Sequence, residues 1–208
     1  TSTAVPSTTT PTTITPTTIA PTTAAPDPVD LLLGHLSVEE KVGQLLLPVL
    51  SGASAHDVDP ASASANTRRT GYADPAEAIA ELGLSGVVLL GPNITDASGV
   101  TALAAGIQDG ATANGNGIGA FVAIDQEGGR VARLTEGVPT VPTARALDGD
   151  TVAAAAFAAQ TATGLREQGI NVDFAPVADL TDSNAGVIGD RSYSADPTVA
   201  SAMVEAVV

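Results

Sequence analysis

Residues 121–130 read Phe-Val-Ala-Ile-Asp-Gln-Glu-Gly-Gly-Arg. The first four form an apolar run without alternation, the pattern of a strand buried on both faces. The run stops at Asp125, and a polar turn takes over. In α/β architectures ligands bind at the carboxyl ends of strands, so this turn stands where a ligand would be met. Asp125 and Glu127 are two positions apart, which in an extended chain sends their side chains the same way. Gly128 and Gly129 permit a tight turn, and Arg130 and Arg133 add hydrogen-bond donors nearby. Two neighbouring carboxylates by themselves suggest acid/base catalysis. The plainer alternative is a salt-bridge network at a strand end. A phosphate loop is a poor fit, because Gly-Gly-Arg lacks the Gly-x-x-x-x-Gly-Lys spacing and two carboxylates repel phosphate.

Working outward from this stretch, helical and extended patterns alternate. Ser37 with Glu40 is a capping-box pair that opens a short helix through Leu45. Continuing apolar residues predict a strand over 45–50, and the Ser/Ala/Asp-rich stretch 51–73 reads as a loop. Asp74-Pro75 supplies N-cap and first turn for a helix ending at Gly83. Gly86-Val-Val-Leu-Leu-Gly91 is a second wholly apolar strand. A helix is predicted over about 96–113, with Val100, Leu103, Ala104, Ile107 and Ala111 on one face. After 121–124, Asp150 caps an alanine-rich helix that ends near Gln168, with Gly169 at its C′ position. Ile170–Leu180 reads as a fourth strand, bent or bulged at Pro176 because proline lacks the ladder donor. Asp196-Pro197 opens a last helix. Buried strands separated by helices imply a parallel sheet with right-handed crossovers. Four such units fit either a doubly wound sheet or half of a (β/α)8 barrel.

Composition narrows the function. The 208 residues carry a formal net charge of -15, aromatic content is 2%, and there is no cysteine. Phosphate backbones recruit basic surfaces, and single strands need aromatic stacking platforms, so a nucleic-acid partner is not expected. A disulfide framework is impossible, and His35 and His56 have no metal-ligand spacing. No apolar run approaches the roughly 18 residues of a membrane span. Residues 1–28 differ from the rest: Thr, Pro, Ala and Ser dominate, with Pro6, Pro11, Pro16, Pro21 and Pro26 five apart. Such a segment has little to bury and reads as a disordered tether, or as an O-glycosylated stalk. Either role suits an exported, secreted or envelope-associated protein whose globular part is 29–208.

Two further clusters lie at predicted strand ends. Val172-Asp-Phe-Ala-Pro-Val-Ala-Asp-Leu180 places Asp179 at the functional edge and Asp173 near the strand start, where a structural role is expected. Ile188-Gly-Asp-Arg-Ser-Tyr193 follows on a loop, and Arg191 there has donors suited to sugar hydroxyls. The alternative for Arg191 is pairing with Asp125, Glu127 or Asp179.

Taken together, Leu36-Ser-Val-Glu-Glu-Lys-Val-Gly-Gln-Leu-Leu46, Asp-Gln-Glu-Gly-Gly-Arg-Val, Phe-Ala-Pro-Val-Ala-Asp-Leu and Gly-Asp-Arg-Ser-Tyr occur in the order seen in family 3 glycoside hydrolases. Gln126, and Arg133 eight residues after Asp125, resemble the β-N-acetylhexosaminidase branch. The resemblance spans about residues 36–208. It implies an α/β fold of the (β/α)8 TIM-barrel type, with about the first four β/α units in this chain. It also implies a retaining glycosidase that removes terminal β-linked N-acetylglucosamine, with Asp125, Arg133 and Arg191 binding the sugar. Neither metal nor organic cofactor is implied.

The family's Lys-His-Phe-Pro-Gly-His-Gly segment and its later nucleophilic Asp do not occur in the sequence, so no catalytic residue is assigned. A β-glucosidase of the same family and an inactive carbohydrate-binding fragment are the rival readings. A structural envelope protein is a third, suggested only by the tether. A half-built barrel is expected to expose apolar surface and self-associate, whether its inward layer is Val87, Leu89, Phe121 and Ala123 or their alternates.

Overall fold

The computed structural model describes residues 27–208. The expected tether falls outside the described residues except for Asp27 and Pro28. Pro28 opens helix α1, Pro28–His35, whose first turn is held by Asp27 Oδ1 accepting from Val29 N at 2.8 Å. This helix belongs to a unit separate from the body, Leu36–Val208.

The body follows the order α2 (Val38–Gly43), α3 (Pro60–Thr70), α4 (Pro75–Leu82), β1 (Gly86–Leu89), α5 (Ala97–Ala113), β2 (Phe121–Ile124), α6 (Thr151–Glu167), β3 (Val172–Asp173) and α7 (Pro197–Val207). The three strands form a parallel sheet in sequence order, β1-β2-β3. The expected caps are in place. Ser37 Oγ accepts from Glu40 N at 3.1 Å while the Glu40 carboxylate accepts from Ser37 N at 2.7 Å, closing the capping box. Asp96, Asp150 and Asp196 each accept from a backbone N–H in the first turn of α5, α6 and α7. Each such cap stabilises its helix by about 1 kcal/mol.

Of two predicted strands that carry proline, the one over 45–50 does not form and the one over 170–180 is reduced to Val172–Asp173. Residues 46–50 run alongside β1 and accept from it, Ser85 N to Leu46 O at 3.1 Å and Val88 N to Pro48 O at 2.9 Å. Pro48 has no N–H to return, so no strand forms there. At the other edge, Asn171 N and Phe174 N donate to the Val122 and Ile124 carbonyls at 3.1 and 2.8 Å, and pairing ends at Asp173. Pro176 comes three residues later and cannot extend the ladder. The stretch read as a 51–73 loop contains α3, capped by Asp59 at its start and by Gly71, φ +89°, at its end.

β2 supplies the centre of the core. Val122, Ala123 and Ile124 are all fully buried. Val87 and Leu89 of β1 pair with Val122 and Ile124 of β2, and these four belong to the apolar cluster formed with Ile79 of α4 and Val100, Leu103 and Ile107 of α5. Val88 and Ala123 pair on the opposite face, while Phe121 is exposed. Of the residues expected to face inward, Val87 and Leu89 instead join the helix-packed cluster, while Ala123 shares the other face with Val88. Helices α4 and α5 approach closely because Gly110 has no side chain: a Cβ there would lie 2.6 Å from Ala76 O. The segment entering the sheet is pinned by two buried amides. Asn66 exchanges hydrogen bonds with the Ser51 backbone, and Asn93 Nδ2 donates to Leu50 O and Gly52 O at 2.8 Å each.

Candidate sugar-binding site

β2 ends at Ile124, and the next ten residues fold back on themselves. Gln126 is the fastener. Its buried side chain donates to Leu134 O at 3.0 Å and accepts from Arg133 N and Leu134 N at 2.8 and 3.0 Å. Within this clip, Val131 O accepts from Glu127 N at 2.8 Å and from Gly128 N at 3.1 Å. Gly128 and Gly129 take φ of +93° and +53°, and a Cβ on Gly128 would meet Pro142 O at 2.8 Å. A larger residue is excluded there both by backbone conformation and by space.

The clip brings Arg133 back to the strand end, where its Nη2 lies 3.2 Å from Asp125 Oδ2. The Arg133 Nε is buried without a hydrogen-bond partner, so this guanidinium is held by a single long contact. Arg191 arrives from the 181–194 loop and pairs with Glu127, Nε to Oε2 at 2.8 Å and Nη2 to Oε1 at 2.7 Å. The Glu127 carboxylate holds Arg191 above the usual guanidinium pKa. The three sequence-predicted residues thus form two ion pairs, Asp125–Arg133 and Glu127–Arg191.

The loop bearing Arg191 has no regular structure beyond short turns, and other arginines secure it. Arg130 Nη2 donates to the carbonyls of Gly186, Val187 and Ile188 at 3.1, 2.9 and 2.9 Å, and its Nε meets Asp190 Oδ1 at 2.9 Å. Arg145 Nε donates to Ser192 O at 3.0 Å and its Nη2 to Thr181 O. Ser192, fully buried, donates to Ser194 O at 3.0 Å. Sequence reasoning noted Arg130 only as a nearby donor and overlooked Arg145, since neither stands at a spacing that reveals a partner some fifty residues away. Asp179 is exposed and makes no ion pair among the described residues, though its charge reaches Arg191.

Asp173, for which a structural role is expected, holds the end of β2. It pairs with Ile124 in the sheet register, and its Oδ1 accepts from Gln126 N at 2.9 Å, helping to set the turn. Burial pushes its carboxyl up to about 6, with the charges of Asp125 and Glu127 adding to the rise and the Gln126 hydrogen bond opposing it. Asp173 also lines a cavity of about 160 Å³ that reaches from Glu127 and Arg191 past Tyr193 to Ala158 of α6. Asp125 and Arg133 do not border that cavity. Their side chains are 29% and 32% exposed, against 9% and 24% for Glu127 and Arg191. Among the described residues no group of three or more His, Cys, Asp or Glu side chains is placed to hold a metal ion. Among the described residues no helix is long and apolar enough to cross a membrane.

The fold and the site define an α/β domain that presents carboxylate–arginine pairs at the carboxyl edge of a parallel sheet. The chain belongs to glycosyl hydrolase family 3, whose N terminal domain matches residues 37–208. It is 37% identical over 134 residues to a beta-hexosaminidase of Bordetella avium, covering 60% of this chain and 37% of that protein. A family 3 beta-N-acetylglucosaminidase from Paenibacillus sp. superposes with a TM-score of 0.69 at 31% identity, over 83% of this chain and 30% of that one. A family 3 glycosyl hydrolase from Mycobacterium smegmatis gives 0.63 at 30% identity, over 84% of this chain and 47% of the other. The chain therefore spans less than half the length of these relatives.

The raised Asp173 carboxyl makes a stability prediction. A carboxyl whose folded pKa lies above the ordinary 3.8 keeps its proton longer in the folded than in the unfolded chain. The folded state then binds more protons between about pH 4 and 6, and stability falls as pH rises through that window. Asp173→Asn keeps the Oδ1 acceptor and removes the charge. At pH 7.5 it should stabilise the chain by on the order of 1 kcal/mol, allowing for solvent screening of a half-buried group. At pH 4 the gain should vanish. Thermal melts of both proteins across pH 4–7.5 check this, and a gain independent of pH would contradict it.

Proposed function

We propose that this chain forms part of a retaining β-N-acetylhexosaminidase that releases terminal β-linked N-acetylglucosamine. The observation that carries the reading is the pair of ion pairs at the carboxyl edge of β2. They tie Asp125 to Arg133 and Arg191 to Glu127, two residues further along the same turn, in a chain of family 3. Asp125 accepts from sugar hydroxyls, and the two arginines donate to sugar oxygens, Arg191 in a plane fixed by the Glu127 carboxylate. The names of the relatives, beta-hexosaminidase and beta-N-acetylglucosaminidase, support N-acetylglucosamine over glucose.

Retention needs a nucleophilic carboxylate and an acid/base on opposite sides of the scissile bond. By family resemblance, neither is among residues 36–208. We assign them to sequence that completes the barrel, of which this chain supplies the opening units. The strictly sequential parallel order, with 46–50 flanking β1, supports a barrel over a sheet whose order reverses. The Thr/Pro-rich residues 1–28 suit a spacer between such an enzyme and a cell envelope.

Asp125→Ala, in the enzyme extended past Val208 by its own reading frame, tests the sugar-binding assignment. The expected loss in kcat/KM for an aryl N-acetylglucosaminide is at least ~10²-fold, since hydrogen bonds that tighten in the transition state disappear. Activity within a few-fold of the parent would remove Asp125 from the site. Preference for the glucoside over the N-acetylglucosaminide would select the β-glucosidase reading. A stop codon after Val208 would select the carbohydrate-binding fragment.

The incomplete barrel carries a second expectation. Val42, Leu45 and Leu46 are 51%, 83% and 50% exposed at one edge, and Leu180 is 48% exposed at the other. Apolar side chains on both flanks favour association. Sedimentation velocity on the 208-residue chain should show self-association that rises with concentration, whereas a monodisperse monomer at tens of micromolar would contradict the half-barrel reading.

A further inference from the structure

Arg191 stands at the end of a short turn, Gly189–Arg191, inside a loop without strand or α-helix. An arginine that recognises a sugar must nonetheless present its donors in a fixed plane. The source of that rigidity is Glu127. Its carboxylate meets Arg191 through two hydrogen bonds of 2.8 and 2.7 Å, bridging 64 residues of sequence. Glu127 is the more enclosed partner, with its side chain 9% exposed against 24% for Arg191. The Glu127 backbone is itself fixed, since its N–H donates to Val131 O at 2.8 Å inside the Gln126 clip. The adjacent Arg130 grips residues 186–188, which lead into the Arg191 turn. One segment, 127–130, thus holds the arginine loop both by its side chain and by its backbone.

A guanidinium has five N–H groups. Glu127 takes two and Val187 O, at 3.1 Å, takes a third, which leaves two. Each Glu127 oxygen accepts one of these N–H groups, and with the side chain only 9% exposed little of the carboxylate faces outward. A nucleophile or proton-transfer group needs an oxygen open to the reacting atom instead.

We propose that Glu127 is a positioning residue of the glycosidase site: it fixes the plane of Arg191 and leaves that guanidinium's two remaining N–H groups for the sugar, without touching the substrate itself. The proposal rests on the reading of Arg191 as a sugar-binding residue. It also removes Glu127 from the acid/base candidates that neighbouring carboxylates first suggest.

The test uses four proteins in the extended enzyme: parent, Glu127→Gln, Arg191→Ala and the double variant, assayed on an aryl N-acetylglucosaminide. The carboxamide keeps the shape of the side chain but has one acceptor oxygen in place of two. Glu127→Gln should lower kcat/KM by ~10-fold or more, while the pH profile of kcat/KM keeps both limbs. In the Arg191→Ala background the same change should alter kcat/KM by less than about 2-fold, because a residue that acts only through Arg191 has nothing left to act on. Melting temperatures separate this from folding damage, and Glu127→Asp replaces the Gln variant if the latter does not fold. Equal further loss in the Arg191→Ala background, a lost pH limb, or a silent Glu127→Gln beside a damaging Arg191→Ala would overturn the positioning role. An Arg191→Ala enzyme as active as the parent, or an inactive parent, would instead overturn the reading beneath it.

Discussion

The parallel ladder on both sides of β2 is the constraint on which the rest of the molecule depends. Every residue from Val122 to Ile124 is fully buried, with β1 on one flank and β3 on the other. A strand so enclosed cannot slip its register, because a one-residue shift would exchange the side chains of its two faces. Its carboxyl end is therefore a fixed point, and Asp125, Gln126 and Glu127 leave it in a set order. Asp173 adds a second restraint from β3 by accepting the Gln126 N–H.

From that fixed point the site is assembled by division of labour among neighbouring side chains. Gln126 turns the chain and returns Arg133 to Asp125. Glu127 reaches across to Arg191, and Arg130 holds the backbone that leads to it. The two glycines at 128 and 129 make the turn tight enough for Gln126 to close its clip and Arg133 to regain Asp125 within ten residues. Three carboxylates lie close together here, yet only two have an arginine. The third, Asp173, responds by holding its proton to a higher pH. That asymmetry follows from desolvation without a paired cation.

Local chemistry made much of this legible in the sequence. The Ser37–Glu40 box, the capping aspartates of α5, α6 and α7, and the apolar runs of β1 and β2 mark their elements by short-range rules. Helix α3 escaped although Asp59-Pro60 and Gly71 carry the same signals as Asp74-Pro75 and Gly83. Its interior, Ala-Ser-Ala-Ser-Ala-Asn, has no apolar stripe to draw the eye. The strands around 45–50 and 170–180 were overextended for the opposite reason: apolar content suggested pairing that Pro48 and Pro176 do not permit. At the site, the residue types and their place at the strand end were readable. The partnerships were not. Glu127 with Arg191 and Arg130 with residues 186–188 join positions more than fifty residues apart, and a single sequence holds no record of which arginine a carboxylate meets.

The central claim is that the carboxyl edge of β2 is a sugar site, with Asp125 on one ion pair and Arg191 on the other. A crystal structure of the enzyme that carries this chain, with N-acetylglucosamine bound, tests it most directly. The account predicts sugar hydroxyls within hydrogen-bonding distance of the Asp125 carboxylate and of the Arg133 and Arg191 guanidinium groups, with Glu127 still paired to Arg191. A sugar on another face, with Asp125, Arg133 and Arg191 all remote from it, would contradict the claim.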